Sequence, residues 1–241
     1  MRRITLLNAK GGCGKTTIAT NLASYFASKG LCTVLMDHDP QGSSRRWLEL
    51  RDKSLPEIRI IDAVNQKSGV TRSWQLHAGQ DADILLADTP AGTNGSQLVD
   101  LVRQTDVILV PVMPSIVDMQ ATHDFIHSLL RVGKISNSNK KIGIIANRVR
   151  EGTRSYRALK EFLQVHDIPV VAKLRDTQNY VNAMEEGCGI HELCPKQTAK
   201  DRGHWKSLIA WLGEETVTTQ NLSQPGASAQ ADLFSRVSAS L

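Results

Sequence analysis

Apolar residues fall in short unbroken runs as far as residue 174, each followed by a longer stretch in which they recur every three or four positions. Strands buried on both faces of a parallel sheet lose their alternation, whereas helices laid on the sheet keep the 3.6 period. On that basis strands are expected at ITLLN (4–8), TVLMD (33–37), IRIID (58–62), DILLAD (83–88), DVILVPV (106–112), KIGIIAN (141–147) and PVVAKL (169–174). Helical patterns lie near 16–29, 96–104, 118–132, 153–165 and 177–186. A last one, HWKSLIAWL, sets Trp205, Leu208, Ile209 and Leu212 on one face and is expected to close the core. The rhythm is that of an α/β fold: a doubly wound, mostly parallel sheet of about seven strands flanked by helices. One domain is expected over 1–213. From about Thr216 the chain is rich in Ser, Thr, Gln and Ala, too polar to offset its ordering entropy, so 214–241 reads as a mobile tail. There is no internal repeat.

Composition narrows the class. The chain has 241 residues and 41% hydrophobic content, enough for one large core. No run approaches the ~18 apolar residues of a membrane span, and the first apolar stretch is too short for a signal peptide, so a cytosolic location is expected. Cys13, Cys32, Cys188 and Cys194 form no C-x-x-C pair, which favours reduced thiols over disulfides or zinc. The net charge of +5 is uneven: Lys and Arg against Asp and Glu number 13 and 13 over 1–130, 15 and 8 over 131–206, and 1 and 3 over 207–241. A basic excess in the second half of the core suits nucleic acid or an anionic surface, or is simply a solvated face.

The chemistry begins in NAKGGCGKTT, residues 8–17. Gly11, Gly12, Cys13 and Gly14 follow a strand and precede a helix, the setting in which backbone N–H groups turn inward around phosphate oxygens and a helix N-terminus adds positive charge. Lys15 can then reach the β- and γ-phosphates, the Thr16 hydroxyl can ligate Mg²⁺, and Thr17 lies at the α-phosphate. Two acids, Asp37 and Asp39, follow the second strand at the sheet end where open α/β folds bind ligands. Asp88 closes the apolar strand DILLAD, where a Walker B carboxylate holds Mg²⁺ through water. Asp83, at the other end of that strand, is misplaced for this. Asn147, Arg148 and Arg150 stand where a GTPase would carry N-K-x-D; without the final acid, adenine is favoured over guanine.

The ordinary phosphate loop has glycine where this chain has Ala9, and the change comes with a second lysine, Lys10. KGGCGKTT resembles the deviant phosphate loop of the ParA and MinD superfamily of ATPases, and the resemblance extends over roughly residues 1–212. It implies that Lys10 crosses a dimer interface to the partner's nucleotide, much as an arginine finger acts in trans. It further implies that DHDPQ is a switch segment in which Asp37 lies near Mg²⁺ and Asp39 orients the attacking water, and that Thr89 to Gly92 form a second switch. Asn147 would contact the adenine, and Leu174, Arg175 and Asp176 would line its pocket. The iron-protein branch needs bridging cysteines, and none occurs between Cys32 and Cys188. The kinase branch ends in tyrosines, which are lacking here after Tyr180. The MinD branch ends in a basic membrane helix, against which ADLFSRVSASL offers only Arg236 as a cation.

What the resemblance implies is a small ParA-type ATPase without an N-terminal helix-turn-helix, since the phosphate loop begins at residue 9. With ATP and Mg²⁺ such a protein forms a homodimer and binds nucleoid DNA without sequence preference. A ParB-like or cargo-adaptor partner then stimulates hydrolysis and positions a plasmid, chromosome or protein organelle. Candidate DNA contacts are Lys196, Lys200, Arg202 and Lys206, then Arg150, Arg154 and Arg157. Two other readings stay open: a membrane-associated positioning ATPase that uses the tail, and a metabolic ATP-dependent enzyme of the same fold.

Overall fold

The computed structural model describes residues 1–64, 81–133 and 140–220, with side chains up to residue 213. Seven strands form one sheet: β1 (Arg2–Leu6), β2 (Thr33–Asp37), β3 (Arg59–Asp62), β4 (Ile84–Asp88), β5 (Val107–Val112), β6 (Lys141–Val149) and β7 (Val170–Arg175). Their order is β3-β2-β4-β1-β5-β6-β7 and every pairing is parallel. The helices are α1 (Lys15–Ser28), α2 (Ser43–Leu50), α3 (Gly95–Arg103), α4 (Ile116–Gly133), α5 (Arg154–Gln164), α6 (Asn179–Glu185) and α7 (Pro195–Gln220). Contacts divide the chain into two units, Met1–Trp205 and Lys206–Leu241, with the boundary inside α7. In the second unit the described part is helix, and Leu208 and Leu212 are buried. Of the segment expected to be a mobile tail, residues 221–241 lie outside the described residues. Among the described residues no helix is long and apolar enough to cross a membrane.

All five residues of β2 and β4 and all six of β5 are buried, as strands covered on both faces must be. Val34 and Met36 join Leu85 and Ala87 in one apolar cluster, while their buried neighbours Leu35 and Leu86 point to the other face. Ile108, Val110 and Val112 belong to a larger cluster with Leu98 of α3, Phe125 and Leu129 of α4 and Leu159 of α5.

Register places the site. Leu6, Asp37 and Asp88 lie in one row across β1, β2 and β4, so the two acids and the exit of β1 meet at the C-terminal edge. There the chain order reverses direction across the sheet, the place where such folds leave a crevice.

Three elements differ from the sequence expectation, one of them α7, which runs from Pro195 to Gln220 rather than over HWKSLIAWL alone and so enters the segment expected as a tail. β1 runs from Arg2 to Leu6 rather than to Asn8, because Asn8 turns its side chain to other work, described below. Helix α2 was not expected: only Ser44 and Trp47 are buried in its eight residues, too sparse an apolar stripe to read. It is held from its far end. Arg51, with its side chain 4% exposed, meets both oxygens of Glu192, 6% exposed, at 2.6 and 2.8 Å. Trp47 Nε1 donates to the Cys188 carbonyl, and Ile190 N–H donates to Asn21 Oδ1 on α1. Residues 187–192 thus clasp α1 and α2 together. The fit is close enough that a Cβ on Gly189 would lie 1.7 Å from Ser24 Oγ.

Candidate functional site

Between β1 and α1 the backbone enters left-handed conformation at Gly12 (φ +75°) and Gly14 (φ +98°), which turns the loop back on itself and starts the helix at Lys15. A Cβ on Gly12 would meet nothing within 4 Å, whereas one on Gly14 would lie 2.2 Å from Asn147 Nδ2. Gly14 is therefore required twice, for its φ and for the approach of Asn147.

Three side chains hold this loop. Lys15 is buried, and its Nζ donates to the carbonyls of Asn8 and Lys10, both at 3.2 Å. Asn8 Nδ2 donates to the Pro111 carbonyl at 2.7 Å and to Thr122 Oγ1 at 2.9 Å, while its Oδ1 accepts from Lys10 N–H. Asn147 Nδ2 donates to the Cys13 carbonyl at 2.8 Å. Cys13 is itself buried, which pushes its thiol pKa up. Lys10 differs from its neighbour: half-buried, its ammonium makes no hydrogen bond or ion pair among the described residues.

Asp88 is fully buried beneath the loop. Its Oδ2 accepts from Ser44 Oγ at 2.6 Å, and its Oδ1 has no partner among the described residues. Burial pushes its pKa up to about 6, against the pull of the Ser44 and Thr16 hydroxyls and helped by the charge of Asp37. Asp37 is likewise pushed up by burial, and is partly relieved by N–H groups of Asp39 at 2.9 Å and Arg45 at 3.2 Å. Asp39 starts a tight turn in which Gly42 N–H reaches the Asp39 carbonyl, and its Oδ1 accepts from Gln41 N–H. In the segment expected as a second switch, Thr89 donates to the Leu6 carbonyl at 2.6 Å and Gly92 N–H to the Ala9 carbonyl at 2.9 Å, so these residues are fastened to β1 and the loop that follows it.

The set fits a hydrated Mg²⁺ beside nucleotide phosphates. Glycines in αL leave N–H groups free to face an anion, and the unpartnered Asp88 Oδ1 is an acceptor with nothing to accept from. Among the described residues no three His, Cys, Asp or Glu side chains converge as a metal site; Mg²⁺, which keeps most of its own water, does not need such a set.

The base-pocket candidates are brought to one edge, where Val149 pairs with Arg175. Leu174 is buried, and Arg150 binds Asp176 Oδ2 through Nε at 2.9 Å and Nη2 at 2.6 Å. Arg148 is exposed and holds φ +50°, unusual for a side-chain-bearing residue. Of the DNA candidates, Lys196, Lys200, Lys206, Arg154 and Arg157 are exposed. Arg150 and Lys200 share a cleft of about 320 Å³ with Lys173, Arg175 and His204, opposed by Glu151 and Asp176. Arg202 is placed otherwise: its guanidinium is given to the carbonyls of Ile190 and Leu193 and to Thr198 Oγ1.

Two contributors escaped the sequence reading. Asn8 opens the quoted glycine-rich motif and Ser44 lies three residues past DHDPQ, yet their partners are up to 114 residues away and no spacing signals them.

Residues 4–190 match the family model described as the CobQ/CobB/MinD/ParA nucleotide binding domain. The chain is 27% identical over 191 residues to the maintenance of carboxysome distribution protein A of Halothiobacillus neapolitanus, covering 79% of this chain and 87% of that protein. Among solved structures it is similar to the MinD cell division protein of Aquifex aeolicus, with a TM-score of 0.69 at 18% identity over 88% of this chain and 97% of that one. It is also similar to a Cyanothece McdA variant in complex with ATP, with a TM-score of 0.66 at 16% identity over 86% and 96%.

Proposed function

The chain belongs to the CobQ/CobB/MinD/ParA nucleotide-binding family, and from that membership we propose that it is an ATP-driven positioning switch of the ParA kind. It is homologous to positioning ATPases, one of them named for maintaining carboxysome distribution and another solved with ATP. The finer reading is that ATP and Mg²⁺ close a homodimer, that this dimer binds DNA through phosphate contacts, and that a partner protein on the cargo triggers hydrolysis and release.

The observation that carries the reading is the contrast between two lysines five residues apart. Lys15 is buried among carbonyls of its own loop, where phosphate oxygens are stronger partners. Lys10 has its backbone fixed by Asn8 and its ammonium unpartnered among the described residues, as suits a cation that completes a second subunit's site. When bound, Mg²⁺ would neutralise charge developing on the transferring phosphoryl group. Thr16 and Asp88 would hold it and its water, with Asp37 behind them. Asp39, with one oxygen fixed by Gln41 N–H, would orient the attacking water.

Co-migration with random-sequence duplex DNA, with and without ATP and Mg²⁺ at two salt concentrations, tests this. Binding is expected only with nucleotide, to fall steeply with salt, and to disappear in Lys10→Ala and Lys15→Ala while persisting in Asp39→Ala. DNA binding that is indifferent to nucleotide and to Lys10 sinks the proposal.

A further inference from the structure

Away from the nucleotide site, α4 carries two histidines one turn apart. His123 and His127 are related by i, i+4 and so share a face of the helix. Their Nε2 atoms are 3.1 Å apart and their ring centroids 4.4 Å apart. A third imidazole, His166, follows α5 and approaches the first from its other side, with Nε2 3.5 Å from His123 Nδ1. None of these residues takes part in the nucleotide chemistry.

Two neutral imidazole nitrogens this close share one proton, one ring donating and the other accepting. A tetrahedral divalent cation asks for nearly the same arrangement: ligand nitrogens about 2.0–2.1 Å from zinc stand about 3.3 Å from each other. Opening the pair by a few tenths of an ångström exchanges the shared proton for a metal, with the donating ring moving its proton to Nδ1. His166 supplies the outer support. If His123 Nδ1–H donates to His166 Nε2, the lone pair of His123 Nε2 is held facing His127, which is how ligand imidazoles are oriented in metal sites. His127 is exposed and His123 half-buried, so the other coordination positions open to water. Arg131, one turn beyond His127 on α4, opposes a cation here. Phe162 packs edge-on against His166 at 4.7 Å and fixes its ring.

We propose that His123 and His127 form a surface chelate for a borderline divalent transition cation such as Zn²⁺ or Ni²⁺, with His166 as the positioning residue. Because no three ligating side chains converge among the described residues, water completes the shell and the metal exchanges. The site lies beside Thr122, which anchors Asn8 of the phosphate loop.

The test is calorimetric titration of untagged, chelator-treated protein with ZnCl₂ and with NiCl₂ at pH 7.5. One equivalent is expected to bind; His123→Gln and His127→Gln abolish that binding, and His166→Phe weakens it by about 10-fold, the usual loss when an outer partner is removed. Binding should release protons to the buffer, since the metal and protons compete for the nitrogens. Unchanged unfolding temperature of His127→Gln, an exposed position, checks that the fold is intact. Absence of binding to wild type, or equal binding by wild type and His127→Gln, overturns the proposal.

Discussion

Asp88 holds a carboxylate where water does not reach and gives it half the partners it needs. An acceptor left unmatched in a buried site costs about 1–3 kcal/mol, more when charged. Asp88→Asn removes the charge and supplies a donor, so the nucleotide-free protein is expected to unfold several degrees higher than wild type at pH 7.5 in Mg²⁺-free buffer. The same variant should lose Mg²⁺-dependent ATP binding. Thermal unfolding with and without ATP and Mg²⁺ reads both, and a variant less stable than wild type without nucleotide would show that the site is not strained as described. At this scale the sequence was readable where residue type and neighbours suffice: Gly12 and Gly14 sit where the backbone turns left-handed, and Lys15 opens α1. Asn8 and Ser44 were not, because a hydrogen bond across the sheet leaves no trace in local spacing. Asn147, which the family resemblance implies as a base contact, also gives its amide nitrogen to the loop carbonyl of Cys13, a bond that no local spacing signals.

Elements were legible in proportion to how they are buried. Strands covered on both faces gave continuous apolar runs, and each was found within a few residues of its expected bounds. Helix α2 left no such signal, since its place is set by Trp47, Ser44 and the Arg51–Glu192 pair rather than by an apolar face. That pair makes a measurable claim. Removing one partner of a buried ion pair strands the other charge and costs about 3–5 kcal/mol, whereas replacing both with apolar residues costs much less. Glu192→Leu is therefore expected to lower denaturant stability sharply, and Arg51→Leu with Glu192→Leu to recover most of the loss. If the two single losses simply add in the double variant, the clasp between α2 and residues 187–192 is not the source of stability.

For the molecule as a whole, half-buried His191 and buried Asp88 pull the pH dependence of stability in opposite directions. His191 in the clasp is held down to about 4 by burial, with Arg202 and Lys29 adding to it. Its native state binds fewer protons than the unfolded chain between that value and about 6.5, so stability is lost as pH falls through this window. Asp88, held up to about 6, does the reverse: its native state keeps a proton that the unfolded chain releases, so stability falls as pH rises from the ordinary carboxylate range through that value. His191→Gln isolates the first contribution. The stability difference between variant and wild type should shift in the variant's favour by on the order of 1–2 kcal/mol between pH 7 and pH 5. A difference that does not change with pH would mean that His191 titrates normally.

The support given to Gly14 by Asn147 has a consequence in time. The two ends of the bond from Asn147 to the Cys13 carbonyl are 134 residues apart, and the strand that carries Asn147 is the sixth of seven to be made. At about 5–20 residues per second, a ribosome releases Asn147 roughly 7–27 s after Cys13. A nascent chain thus displays the glycine motif well before the side chain that props its loop has been made.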